Sequence, residues 1–259
     1  MADGAQTLPQ LLKQARARRR ISQLDLAIEL GVSQRHLSFV EVGRSRPGRE
    51  LLLRWLRALD APLLVRNQAL HAAGYAPAYD ESAWDGAGLA DARLAVARLL
   101  HSHEPWPALL LGPGWDVLAA NAGVTWLFDA VGVAVDLPGP EGTGDEPVVN
   151  LLDLALGPLG AAVTNLPETA AALLGQLSHE AVAHPALRER VERVAEVAAQ
   201  HDTRTTFPPV LVSRYASRYG ELALLSMFTT FGTPHSVTLE SLRVELMFPA
   251  DEATRALLE

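Results

Sequence analysis

Gln34, Arg35 and Ser38 sit within the stretch SQLDLAIELGVSQRHLSFVEVGRSRP, Ser22 to Pro47. If that stretch is helical there, Ser38 lies one turn on from both Gln34 and Arg35, and amide, guanidinium and hydroxyl groups on that side can pair with base edges and phosphates. His36 borders the same surface, Ser33 precedes it, and Gln23 opens the apolar stretch before it. Arg44 and Arg46 follow in the loop GRSRP, where two guanidinium groups could hold a phosphate backbone.

Short helices and a sharp turn must present these groups. Ser22 is a good N-cap, and Leu24, Ala27, Ile28 and Leu30 make an apolar stripe, so Gln23 to Leu30 reads as one helix. Gly31 supplies the left-handed conformation that ends it, Val32 fills the corner, and Ser33 caps a second helix from Gln34 to Val42. In that second helix Leu37, Val40 and Phe39 are the inward candidates. Ala27 is small where the helices cross, and the whole reads as a helix-turn-helix. LPQLLKQARARRR before it, with GRELLLRWLRALD and PLLVRNQALHAAGY after it, brings the total to five helices in about 70 residues. Arg18, Arg19 and Arg20 suit either a phosphate clamp or the solvated basic end of a helix.

Composition agrees once it is divided. The 259 residues are 49% hydrophobic and 20% charged with a net charge of −8, enough for a sizeable core and two domains. Residues 1–66 hold 12 Lys or Arg against 6 Asp or Glu, so a basic head precedes an acidic body that DNA would repel. There is no cysteine, which excludes disulfides and thiolate metal sites, and no apolar run of membrane-spanning length. The N-terminus lacks the pattern of a signal peptide, so a cytoplasmic protein is expected, with no membrane partner. Hydrolase, zinc-protease and phosphate-loop motifs are missing, and His101 and His103 fall on different faces of a helix, so catalysis and a metal site are not expected.

On Gln23, Gln34, the Gly31 turn and the flanking helices, the head resembles the XRE family of helix-turn-helix regulators. That resemblance implies that Gln34, Arg35 and Ser38 enter the major groove of double-stranded DNA beside the cap residue Ser33. It also implies that Gln23 bonds a phosphate and that Arg44 and Arg46 hold the neighbouring backbone. A bidentate Gln34–adenine contact is the expected source of part of the specificity. A homodimer reading two half-sites is the expected assembly.

Past the connector APAYDESAWDGAG, LADARLAVARLLHSHE reads as an amphipathic helix, ALLLGPGWDVLAAN as two strands about a Gly-Pro-Gly turn, and Asn121 as the cap of the next helix. Residues 167–200 are helical by pattern. VLVSRYAS and LALLSMFTTF form a hairpin through RYGE, and SLRVELMF is a last strand. There Leu242, Val244, Leu246 and Phe248 are expected to face the core, with Arg243, Glu245 and Met247 on a largely wet face. The expected fold class is therefore an all-α helix-turn-helix domain (1–78), a connector with a helix (79–104), and an α+β domain with an antiparallel sheet (105–259).

WDVLAAN after its strand, MFTTFGTPHSVTLESLRVELMFPADEAT at the end and RHLSFVEVGRSRPGRELLLRWLRAL in the head resemble the MmyB-like regulators. The resemblance implies a lambda-repressor-like head and a PAS-like C-terminal domain that binds a small apolar effector, a long-chain fatty acid being the kind of ligand. No other cofactor is implied. Trp126, Phe128, Phe207, Tyr215, Phe228 and Phe231 are candidate walls, and Arg214 is the candidate carboxylate anchor; each could equally be core or a strand-neighbour pair. The competing reading gives the C-terminal domain only dimerisation or a protein partner.

Overall fold

The computed structural model describes residues 7–141, 149–201 and 210–259. The chain divides into two compact units, Met1–Glu81 with Pro234–Glu240, and Ser82–Thr233 with Ser241–Glu259.

The first unit holds α1 (Leu8–Arg18), α2 (Gln23–Leu30), α3 (Gln34–Glu41), α4 (Arg49–Ala58) and α5 (Leu63–Ala72). Ser22 accepts from the Asp25 N–H and Ser33 from the His36 N–H, so both motif helices start where the sequence places a cap. Gly31 ends α2 at φ 67°, a conformation that costs glycine little. The core gathers Leu12, Leu26, Ala27, Leu30, Leu37, Val40, Leu52, Trp55 and Leu56. One expectation is corrected. The inward stripe of α2 is Leu26, Ala27 and Leu30, whereas Leu24 and Ile28 are 51% and 70% exposed. A two-turn helix with apolar residues on both sides has an ambiguous phase, and the tight crossing at Ala27 selects the face beside it.

The second unit contains α6 (Ala90–Ser102), β1 (Ala108–Leu111), β2 (Asp116–Ala120), α7 (Ala122–Ala130), β3 (Val149–Asn150), α8 (Leu151–Ala155), α9 (Leu166–Ala183), α10 (Arg188–Ala198), β4 (Val212–Ser217) and β5 (Gly220–Thr229). After the short α11 (Val237–Ser241), all but the last residue of which belongs to the first unit, come β6 (Arg243–Pro249) and α12 (Glu252–Leu258). The strands form one antiparallel sheet in the order β3-β2-β1-β6-β5-β4, so the last strand lies between the first hairpin and the second. Asn121, 1% exposed, accepts from the Ala108 and Val124 N–H groups and donates to the Leu100 and Trp106 carbonyls. One side chain thereby caps α7 and joins it to β1 and α6. Gly123 lets α7 approach closely, because a Cβ there would lie 2.5 Å from the Pro105 carbonyl oxygen.

Of the expected core side, Leu242 just before β6 and Val244 are buried, but the opposite side of β6 is not wet. Arg243, Glu245 and Met247 are buried, while Leu246 and Phe248 are only half-buried. Arg243 and Glu245 pair with Leu111 and Leu109, which belong to the main core with Trp115, Leu127, Leu177, Leu222 and Leu224. Strand alternation marks one face as wet only if nothing covers it. Here α6 packs on β1 from the Leu110 side and the main core fills the other.

Candidate functional sites

On α3 the side chains of Gln34 and Arg35 are exposed and that of Ser38 is half-buried, giving one polar face opposite the buried Leu37 and Val40. The Arg35 guanidinium lies 5.2 Å over the Phe39 ring, which holds the arginine along the helix surface. Arg44 and Arg46 are exposed in the following loop. Arg46 stacks at 4.8 Å on Tyr75, whose hydroxyl donates to the Pro47 carbonyl at 3.1 Å.

Behind the polar face lies a network absent from the sequence reading. Glu41, the last residue of α3, has a side chain only 3% exposed. It receives Arg16 of α1 through Nε at 2.7 Å and Nη2 at 2.9 Å, and the Gln23 amide of α2 at 2.7 Å. Arg16 also donates to the Ile21 carbonyl at 3.0 Å. Burial works against the Glu41 charge, but the bonds from Arg16 and Gln23 and the Arg16 charge hold its carboxyl below its ordinary value. Three helices are thus fixed at the base of α3 by charge-assisted bonds. The signal was available, since Glu41 lies four residues after the inward Leu37 and therefore on the buried side of its helix.

In the second unit, a cavity of about 120 Å³ lies between α6 and the ends of β5 and β6. Ala95, Val96, Leu99 and Leu110 wall it on one side, and Thr229–Phe231 and Leu242–Val244 on the other. Across the sheet, the Arg243 guanidinium is held between Trp115, 4.3 Å from the ring, and Phe228 at 5.9 Å. It forks onto both oxygens of Glu180, and the Trp115 indole donates to the same carboxylate at 2.8 Å. Trp115 reaches this position from a left-handed backbone, φ 67°, at the end of the Gly-Pro-Gly turn. Glu245 is also interior, and burial pushes its carboxyl up against the opposing effect of a Ser226 hydrogen bond.

Residues 92–259 match the family described as the MmyB-like transcription regulator ligand binding domain, and residues 12–65 match a helix-turn-helix family. The chain belongs to the MmyB-like transcription regulators. Comparison with curated proteins gives no match. The two matches make the first unit of this MmyB-like regulator a DNA-binding domain and the second a domain for a small-molecule effector. No described helix is long and apolar enough to cross a membrane.

The fold of the MmyB-like regulator separates the sequence candidates. Gln34, Arg35 and Ser38 share one surface of α3, with Arg44 and Arg46 on the loop that follows. Ser33 is committed to capping, and Gln23 spends its amide N–H on Glu41. Arg19 pairs with Asp60 at 2.7 Å. Of the ligand candidates, Phe231 lines the cavity. Phe128 and Tyr215 belong to the main core, and burial pushes the Tyr215 hydroxyl well above its ordinary range. Phe228 is edge-on to Trp115, and Trp126 stacks on Tyr219 with ring centroids 5.8 Å apart. Arg214 is exposed and bonds Glu221 on the neighbouring strand at 2.8 Å, so it is not brought to the cavity. The arginine held in the interior is Arg243. Phe207 lies outside the described residues.

Proposed function

We propose that this MmyB-like regulator is a cytoplasmic, homodimeric transcription factor. In this reading α3 lies in the major groove of a specific operator, and the second unit binds a small apolar effector that changes operator affinity. Residues 1–78 then serve DNA binding, 79–104 connect, and 105–259 form the PAS-like sensor. The observation that carries the DNA half is the polar Gln34–Arg35–Ser38 face on a basic unit, held at its base by Glu41. A long-chain fatty acid is the proposed effector. The cavity of about 120 Å³ falls below the roughly 300–1,000 Å³ of sites that enclose a drug-sized ligand, so it would take one end of such a chain.

Mass spectrometry of an organic extract of the purified protein tests the sensor half. A stoichiometric fatty acid supports it, whereas an empty extract together with no binding across a fatty-acid panel shifts the second unit to dimerisation or partner binding. Sedimentation that finds only monomer, with and without DNA, would contradict the dimer. For the head, Gln34→Ala is expected to reduce discrimination between cognate and scrambled duplexes by roughly 1–3 kcal/mol. Unchanged discrimination in a competitive gel-shift titration would sink the Gln34–adenine contact.

A further inference from the structure

Between β5 and β6 the chain leaves the second unit, and Pro234–Glu240 packs as part of the first. The Val237 N–H donates to the Asp80 carbonyl at 2.8 Å, and Ser236, itself buried, bridges Asp80 in parallel. The Glu240 carboxylate accepts from the Leu63 N–H at 2.6 Å. Leu63 is the first residue of α5, and its N-cap, Pro62, supplies no side-chain acceptor. A carboxylate 177 positions along the chain therefore caps this helix and complements its positive end. The same helix pins the connector, since Asn67 donates to the Tyr79 carbonyl and Glu81 and accepts from the Ala78 and Tyr79 N–H groups.

The roots of this strap are the walls of the cavity. Only Gly232 and Thr233 separate Phe231 from Pro234, and only Ser241 separates Glu240 from Leu242. Leads of one or two residues span a few ångströms each, so little slack is available to absorb a shift of the cavity wall. The lining is mostly apolar, and the Arg243 guanidinium is turned to Glu180 and Trp115 across the sheet. Ala95, Thr229 and Thr230 are exposed at its rim, so the cavity opens to solvent, and its volume is of the order of the engineered apolar cavity of about 150 Å³ that takes up benzene.

We infer that the cavity walled by Leu99, Leu110, Phe231 and Leu242 binds a small apolar group of about benzene size, and that the Pro234–Glu240 strap passes its occupancy to the cap of α5. The inference deepens the sensor reading and rests on it. A bound group pushes α6 away from the strand ends, displaces the two roots, and loads or frees the Glu240 carboxylate. The helix whose first N–H feels this change belongs to the DNA-binding unit.

The test uses the full chain with benzene as probe and amide hydrogen exchange at Leu63 and Val237 as readout. Benzene is expected to bind saturably and to change both exchange rates at least about threefold, a change well inside what a helix cap controls. Leu99→Trp fills the cavity and should abolish both binding and response. Glu240→Ala should raise Leu63 exchange roughly fivefold without benzene, keep benzene binding, and leave Leu63 insensitive to it. Absence of benzene binding, or binding that moves neither amide, overturns the inference. An operator affinity that responds to the extracted effector while these amides do not overturns the strap and leaves the sensor reading standing. Amides that follow benzene while operator affinity ignores every effector overturn the sensor reading and leave the strap.

Discussion

Glu41→Ala is expected to destabilise the DNA-binding unit by about 3 kcal/mol, read as a lowered urea midpoint for its unfolding transition. The variant strands the Arg16 guanidinium, 17% exposed, and the Gln23 amide at the base of α3. Breaking a buried pair by removing one partner costs about 3–5 kcal/mol, and the partial exposure of Arg16 places the expectation at the lower end. The pH dependence has a definite sign. The folded-state carboxyl of Glu41 is held below its ordinary value, so its contribution is complete above about pH 5 and is lost as pH falls through the lower folded value. Glu41→Gln should remove that acid limb. A loss under about 1 kcal/mol for Glu41→Ala would show that the network is not what fixes α3.

Arg243→Met should have a comparable effect in the ligand-binding domain, about 2–4 kcal/mol, because it leaves Glu180 charged against an apolar side chain and empties the space between Trp115 and Phe228. Glu180 resists the upward push of burial chiefly through Arg243, helped by Gln176 and Trp115, and its carboxyl lies below its ordinary value. Wild-type stability from this pair is therefore retained near neutral pH and lost only on acidification. In Arg243→Met the Glu180 carboxyl should move upward and the loss should begin at higher pH. Thermal unfolding of the full chain as a function of pH measures both quantities. A midpoint unchanged within a degree would contradict the assignment of Arg243 as a structural tie. The neighbouring His184 is kept below its ordinary value by burial, with the Arg243 charge adding to this and Glu180 opposing it.

Local signals carried most of the fold. The caps at Ser22, Ser33 and Asn121, the glycine at position 31 and the two-residue turn between Ser217 and Gly220 each express short-range backbone chemistry, and each element begins or ends where they stand. What escaped depends on neighbours far along the chain. Arg243 and Glu245 alternate like the wet side of a strand, yet the sheet is covered on both faces and Glu180, 63 residues away, meets Arg243. Glu41 reads as a polar residue at a helix end, but its bond to Arg16 spans 25 positions. The strap from Pro234 to Glu240 was not distinguished because its partners, Leu63 and Asp80, belong to the other end of the chain. The polar face of α3 was legible because it is purely helical: Leu37 and Val40 set the phase, and Gln34, Arg35 and Ser38 follow from it. Arg214 misled for the opposite reason, since nothing in its local pattern distinguishes a pocket anchor from the cross-strand partner of Glu221.

Operator affinity of the full chain, measured by equilibrium titration with and without saturating effector recovered from its own organic extract, tests the central claim most directly. A ligand-responsive regulator must show affinities that differ by the same factor by which operator changes effector affinity, since the coupling is reciprocal, and a difference of about 5–150-fold is expected. Equal operator affinity in the presence and absence of a bound, stoichiometric effector would contradict it.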